Sequence, residues 1–303
     1  MAKPCLPILI AGPTAVGKSQ IALQLAGRLG GEIISADSMQ VYRGLDIGTA
    51  KPSPAERARV PHHLIDLCDL TESFDAAQFA RLAHRAVAEI QSRGRVPILC
   101  GGTGLYFKAF LEGLGEAPSA DSKLRAELEA TPLENLLAEL RERDPAAYEK
   151  IDKKNPRRVI RAVEVIRLTG KAFSTVQSPK SKVQGQKPEF FCVTRSSDDL
   201  RKRIDARVDA MFAHGLVDET RELLKRGLAQ NKTAMQAIGY RQVVEHLRGT
   251  RSLKETIELV KVRTRQFAKR QLTWFRAQKN LEWIELKPDE SLEKCAGKIC
   301  ETI

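Results

Sequence analysis

The residues Gly12-Pro-Thr-Ala-Val-Gly17-Lys18-Ser19 constrain this chain more than any others. They satisfy the phosphate-loop pattern G-x-x-x-x-G-K-[ST] at every required position. Before them, Leu6–Ala11 reads as a short buried strand; after them, Gln20–Ala26 opens a helix. In that setting the loop wraps a polyphosphate with backbone N–H groups, and the helix N-terminus adds the positive end of its dipole. Gly12 and Gly17 permit the tight turns, while Pro13, Thr14, Ala15 and Val16 form the wrap. Lys18 reaches phosphate oxygens, and Ser19 is the candidate ligand for Mg²⁺. The chain is expected to bind a diphosphate or triphosphate.

At 303 residues it has room for one large domain or a core with an inserted module. A hydrophobic fraction of 42% suits a water-soluble globular protein. No apolar run is long enough to cross a membrane, and the first residues lack a signal-peptide pattern. The six cysteines are scattered with no C-x-x-C pair, which argues against a disulfide framework or structural zinc and fits a reducing cytoplasm. The net charge is +12, concentrated late: between Arg241 and Lys279 eleven Lys or Arg face three Glu. Charge of that density points to a polyanion larger than a nucleotide.

Residues 1–117 alternate strand and helix patterns: a second strand over Glu32–Ala36, an amphipathic helix over Asp75–Arg93 and a third strand over Val96–Cys100. This rhythm predicts an α/β fold, a parallel sheet covered by helices. Over 118–182 strand patterns vanish and charged helices are predicted at Ser122–Ala130, Leu133–Arg143 and Pro156–Thr169. The last starts at Asn155 as N-cap and stops at Gly170. Ser178–Lys187 reads as a linker or mobile loop. The region is expected to be a helical module inserted into the sheet domain. Residues 183–303 return to the core with strands at Glu189–Thr194 and Leu281–Leu286 and long basic helices between them.

Asp37 follows the second strand, at the edge of an open α/β sheet where ligands bind, and is the candidate general base. No separate acidic residue ends the third strand, which closes in Gly101-Gly102-Thr103-Gly104; a kinase-like transferase is favoured over a motor ATPase. His62 and His63 are adjacent, so their side chains diverge and a loop leading into a strand is expected in place of a metal site. Arg203 and Arg207 share one helical face after a core strand and can be aimed at the phosphates. Arg157, Arg158 and Arg161 crowd the first two turns of their helix. Lys261, Arg265, Lys269 and Arg276 form a basic stripe, with Ile257, Val260, Phe267 and Trp274 as the apolar seam. Such a helix suits a nucleic-acid backbone.

These segments together resemble the tRNA dimethylallyltransferase (tRNA isopentenyltransferase) family. The resemblance rests on Gly12–Ser19, Ser35–Pro52 around Asp37, His62–Asp66, Gly101–Tyr106, Pro156–Arg161, Gln236–Arg241 and Thr264–Arg276, in family order over nearly the whole chain. The zinc finger that eukaryotic members append has no counterpart among these residues, as in bacterial members. The resemblance implies a phosphate-loop α/β core with an inserted tRNA-binding module. It implies transfer of a dimethylallyl group from dimethylallyl diphosphate to N6 of the adenosine 3′ of the anticodon. Asp37 would be the base; Lys18, Thr14, Arg203, Arg207 and Mg²⁺ on Ser19 would serve the leaving diphosphate. It further implies tRNA contacts from Asp37, Ser38, Met39, Gln40, Thr103, Arg125, Arg157, Arg158, Val159, Ile160, Arg161, Gln236, Gly239, Tyr240, Arg241, Lys261, Arg265, Lys269, Arg270 and Arg276. A cytoplasmic monomer is expected. The alternatives are a small-molecule kinase or AMP-prenylating enzyme, which needs no basic stripe, and a nucleotide-switched RNA-binding protein, which forms no covalent product.

Overall fold

The computed structural model describes residues 6–115, 117–118, 120–176 and 188–303. The stretch Ser178–Lys187, read as a linker, lies outside the described residues. The chain divides into two compact units, Met1–Phe110 with Gly185–Ile303, and Leu111–Gln184. The second unit thus begins at Leu111, earlier than the 118 expected from the change in sequence pattern.

In the first unit the chain runs β1 (Ile8–Ala11), α1 (Lys18–Leu29), β2 (Gly31–Ala36), α2 (Pro54–Arg59), β3 (His62–His63), α3 (Ala76–Ser92), β4 (Val96–Gly101) and α4 (Gly104–Glu112). With β5 (Glu189–Arg195) and β6 (Glu282–Leu286) from later in the chain, the six-stranded sheet has the order β3-β2-β4-β1-β5-β6 and all its pairings are parallel. Residues Ile8–Ala11 are all buried, as a strand flanked by neighbours on both sides and covered on both faces requires. Helix α3 shows its pattern cleanly: Asp75 caps the N-terminus through a capping box with Gln78, and Phe79, Ala83, Ala86 and Ile90 are buried. His62 and His63, expected to precede a strand, are themselves its two residues, paired with Ile33 and Ile34. The strand stops there because Leu64 and Asp66 take φ values of 60° and 55°.

The second unit holds α5 (Ser122–Ala130), α6 (Leu133–Arg143), α7 (Pro145–Lys150), α8 (Pro156–Thr169) and α9 (Phe173–Val176). Its core gathers Leu128, Leu136, Leu140, Val159, Ala162, Val163 and Ile166. The short α7 and α9 have too few residues to show a helical period, and sequence reading passed over them. Asp144 caps α7 through Ala147 N and also takes Ser174 N and Oγ at 2.7 and 2.9 Å, tying both short helices together.

The first unit resumes with β5 (Glu189–Arg195), α10 (Ser197–Ala213), α11 (Leu216–Lys225), α12 (Tyr240–Leu247), α13 (Leu253–Arg276), β6 (Glu282–Leu286) and α14 (Leu292–Thr302). Strand β1 lies between β4 and β5, so the phosphate loop that follows it emerges between two neighbouring strand ends.

Candidate active site

The phosphate loop leaves β1 through Gly12, whose φ of 145° and close approach both demand glycine: a Cβ there would lie 2.3 Å from Val193 O. Four side chains then fix the loop. Lys18 Nζ donates to Pro13 O at 2.6 Å, Arg203 Nε to Ala15 O at 2.9 Å and Arg195 Nε to Val16 O at 2.9 Å. Gln271 Oε1 accepts from Thr14 N at 2.8 Å. Because a peptide is planar, holding Val16 O against the buried Arg195 turns the Gly17 N–H the opposite way. Burial pulls Lys18 down from the usual lysine range to about 8, with the Arg207 cation adding to the shift and Asp37 opposing it. Its ammonium therefore lacks a full countercharge, a state that an arriving anion relieves.

Two cavities meet this loop. The first, about 520 Å³, is lined by Ala15, Gly17, Lys18, Ser19, Lys51, His62, Arg203 and Arg207. The second, about 360 Å³, is lined by Thr14, Asp37, Ser38, Met39, Thr103, Arg207, Met211, Gln236, Ile238, Phe267 and Arg270, among others. Arg207 borders both. Burial holds its guanidinium below the usual arginine range while Asp37 pulls it back up, and its NH2 group reaches Thr49 O at 3.5 Å. Asp37 directly follows β2. Its Oδ1 accepts from Met39 N at 2.8 Å and Gln40 N at 3.4 Å, which orients the carboxylate; among the described residues Oδ2 accepts no hydrogen bond. Thr103 supports the same turn, its Oγ1 accepting from Ser38 N at 3.1 Å. A cationic mouth thus adjoins a chamber of mixed lining, with Met39, Met211, Ile238 and Phe267 as its apolar part and one oriented carboxylate.

The loop from Gln40 to Pro52 that walls both cavities is held by buried polar groups. Lys51 Nζ, its side chain 1% exposed, donates to Tyr42 O, Asp46 Oδ1 and Asp66 Oδ1 at 2.9, 2.6 and 2.6 Å. Those bonds and Arg57 hold the Asp66 carboxyl below the usual range against its burial. Glu219 Oε2 takes Ile47 N at 2.9 Å, and Tyr240 Oη donates to Glu219 while accepting from Gly48 N.

Comparison with known proteins fixes the family. The IPP transferase family model matches residues 40–278. This chain belongs to the IPP transferase family. A tRNA dimethylallyltransferase of Geobacter sulfurreducens is 47% identical over 286 residues, covering 92% of this chain and 91% of that one. One from Halorhodospira halophila is also 47% identical, over 95% of this chain and 94% of its own. Among solved structures, the tRNA isopentenylpyrophosphate transferase of Bacillus halodurans superposes with a TM-score of 0.72 at 43% identity, covering 99% of this chain and 95% of that one. A eukaryotic dimethylallyltransferase, described in structures of it acting on tRNA, gives 0.79 at 29% identity over 97% of this chain and 77% of its own.

Within this IPP transferase the expected site residues fall into distinct groups. Gly17, Lys18, Ser19, Arg203 and Arg207 line the first cavity; Thr14, Asp37, Ser38, Met39, Thr103, Gln236 and Arg270 line the second. Gln40 lies behind that wall, its Nε2 donating to Thr49 O. Arg241, Lys269, Arg270 and Arg276 are exposed, as are Arg157 and Arg158, while Ile160 is half-buried. Several residues expected at the RNA have partners within the protein. Val159 is buried in the core of the helical unit, where a β-branched side chain fills a helix–helix gap. Tyr240 is buried as the clamp on Gly48, and Gly239 is buried beside it. Arg125 and Arg161 both bind the fully buried Glu164 at 2.7 Å, so they neutralise a carboxylate inside their own unit. Lys261 pairs with Asp209 and Glu258, and Arg265 with Asp205; their charge is met within the protein.

The seam of α13 also differs. Its buried line is Thr256, Val260, Thr264, Ala268, Gln271 and Phe275. Two threonines can be hidden because their hydroxyls donate to carbonyls one turn back, Thr264 to Val260 O and Thr256 to Ser252 O. Phe267 instead faces the second cavity, and Trp274 packs where Gly104 leaves room, since a Cβ there would lie 2.3 Å from its ring. Sequence reading missed Arg195, Gln271, Lys51 and Glu219 as supports. Arg195 had a readable signal as a lone charge ending a buried strand; the others gain meaning only from partners distant in sequence.

Proposed function

We propose that this chain transfers a dimethylallyl group from dimethylallyl diphosphate to the N6 amine of the adenosine 3′ of the anticodon in tRNA, releasing diphosphate. The observation that carries this reading is Arg207, shared between the phosphate-loop cavity and the Asp37 chamber. In the reaction the allylic C–O bond breaks, diphosphate keeps the bonding pair, and N6 attacks the freed carbon. An adenine amine is a weak nucleophile, so its proton must leave as the bond forms; Asp37, oriented by Met39 N and Gln40 N, takes it. Lys18, Arg207 and the loop N–H groups meet the charge gathering on the leaving diphosphate. Met39, Met211, Ile238 and Phe267 give the allyl group an apolar wall. The target base has to leave its stack to enter such a chamber.

Ser19 stands exposed on the first cavity beside Lys18, which fits a hydroxyl ligand to a phosphate-bound Mg²⁺. When bound, that ion would supply charge neutralisation at the diphosphate. The exposed Lys269, Arg270 and Arg276 of α13 supply a surface for the RNA backbone. A cytoplasmic monomer fits the reading, and no described helix is long and apolar enough to cross a membrane.

The test is direct. Purified protein incubated with an anticodon stem-loop and dimethylallyl diphosphate should yield isopentenyladenosine by mass spectrometry, with AMP a far poorer acceptor. Asp37→Asn should slow single-turnover transfer by roughly 10²-fold or more while leaving stem-loop affinity within a few fold. Equal efficiency on AMP, or a near-normal Asp37→Asn rate, would refute the assignment.

A further inference from the structure

Gln271 lies on the buried face of α13, 7% exposed, one position after the exposed Arg270. Both ends of its amide are used. Oε1 accepts from Thr14 N at 2.8 Å and Nε2 donates to Gly102 O at 2.9 Å. The partners allow only one amide orientation, because the N–H must face the oxygen and the carbonyl must face the nitrogen. Space is reserved for it: a Cβ on Gly102 would lie 2.2 Å from Nε2.

The two tied segments serve opposite ends of the reaction. Thr14 belongs to the loop that faces the phosphates. Gly102 precedes Thr103, whose N donates to Ala36 O and whose hydroxyl accepts from Ser38 N, on either side of Asp37. One side chain thereby spans from the anion-binding loop to the turn that carries the carboxylate, and both partners are backbone atoms that cannot swing away.

We propose that Gln271 is a positioning residue that sets the spacing between the phosphate loop and Asp37. This rests on the transferase reading above. Displacement at an allylic carbon needs the leaving group, the carbon and the amine aligned, and misplacement of about 1 Å can cost on the order of 10²-fold. The amide acts through Thr14 and Gly102 and does not touch substrate. When alignment is lost, breaking of the C–O bond continues under the phosphate loop, but the carbon is captured less often by N6. Water then takes it, forming a C–O bond and releasing a proton, to give dimethylallyl alcohol and diphosphate.

The experiment uses the full chain, an anticodon stem-loop and dimethylallyl diphosphate. It measures isopentenyladenosine and dimethylallyl alcohol together, with kcat and KM for each substrate. Gln271→Met keeps the volume and removes both hydrogen bonds. Its transfer kcat should fall roughly 10–100-fold with each KM moving by less than about threefold, and the alcohol-to-nucleoside ratio should rise about tenfold or more. Gln271→Glu keeps the acceptor for Thr14 N but turns a carboxylate oxygen toward Gly102 O, so it breaks the tie at the Gly102 end and its ratio should rise as well. A purely structural residue would lower melting temperature and active fraction without changing the ratio; that result, or an unchanged kcat, overturns the proposal. Should the Met variant not fold, the Glu variant carries the same reading. Wild-type protein that transfers nothing to any adenosine refutes the function itself, and this inference with it, before any variant is made.

Discussion

Lys18 is the residue whose chemistry depends most on where the fold puts it. In solution a lysine titrates near 10.5; burial brings this one to about 8. Between those values the unfolded chain holds a proton that the folded chain has released, so the Lys18 contribution to stability rises as pH is raised through that window. A bound diphosphate reverses the preference, because the anion favours the charged amine. Affinity for dimethylallyl diphosphate should therefore weaken above pH 8, by up to about tenfold per unit, and Lys18→Met should bind more weakly with that component of the slope gone. Calorimetric titrations of both proteins between pH 7 and 9.5 check this; parallel profiles would contradict it. Neither Lys18 nor Asp37 needed a structure to be found, since a phosphate-loop lysine and a strand-end carboxylate are legible from local pattern. Gln271 and Lys51 were not legible, since an interior glutamine and a loop lysine acquire their roles from Gly102, Asp46 and Asp66, which no periodicity connects to them.

At the scale of elements, the helix boundaries in the inserted unit were readable to the residue at α5, α6 and α8, because caps and charge patterns mark them locally. Which face of α13 turns inward was not, since threonine can be buried when its hydroxyl is satisfied within the helix. That distinction divides the basic stripe into a paired half and an exposed half. Lys261 and Arg265 tie α13 to α10, the helix that carries Arg203 and Arg207, whereas Lys269 and Arg276 stand exposed. Each phosphate contact contributes about one to the salt slope of RNA binding. Replacing Lys269 and Arg276 by Ala should therefore lower that slope by about two, for cognate and non-cognate tRNA alike. Replacing Lys261 and Arg265 should leave the slope within error and instead slow transfer by loosening α10. Filter-binding isotherms over a salt series separate the two pairs.

The whole molecule is two compact units threaded by one chain, and the helical unit is expected to loosen without the other. In the helical unit Glu164 is fully buried between Arg125 and Arg161 and also takes Asp121 N. Glu164→Ala leaves two cations facing a void, a loss of about 3–5 kcal/mol for a broken buried pair. Hydrogen exchange should accelerate across α5, α6 and α8 while β1, β4 and α1 keep their protection; uniform acceleration would mean that the units unfold together. The threading has one more consequence, which concerns the order of synthesis. Strand β1 precedes the helical unit in the chain, yet one of its partners, β5, follows that entire unit; Val193 and Arg195 belong to β5, and Arg203 and Gln271 are later still. A ribosome-bound chain therefore carries a finished phosphate-loop sequence with an unpaired apolar strand edge beside it, long before the side chains that shape that loop exist. A nascent chain that stops short of these segments should bind diphosphate weakly, and it must keep that edge from other strands until β5 emerges.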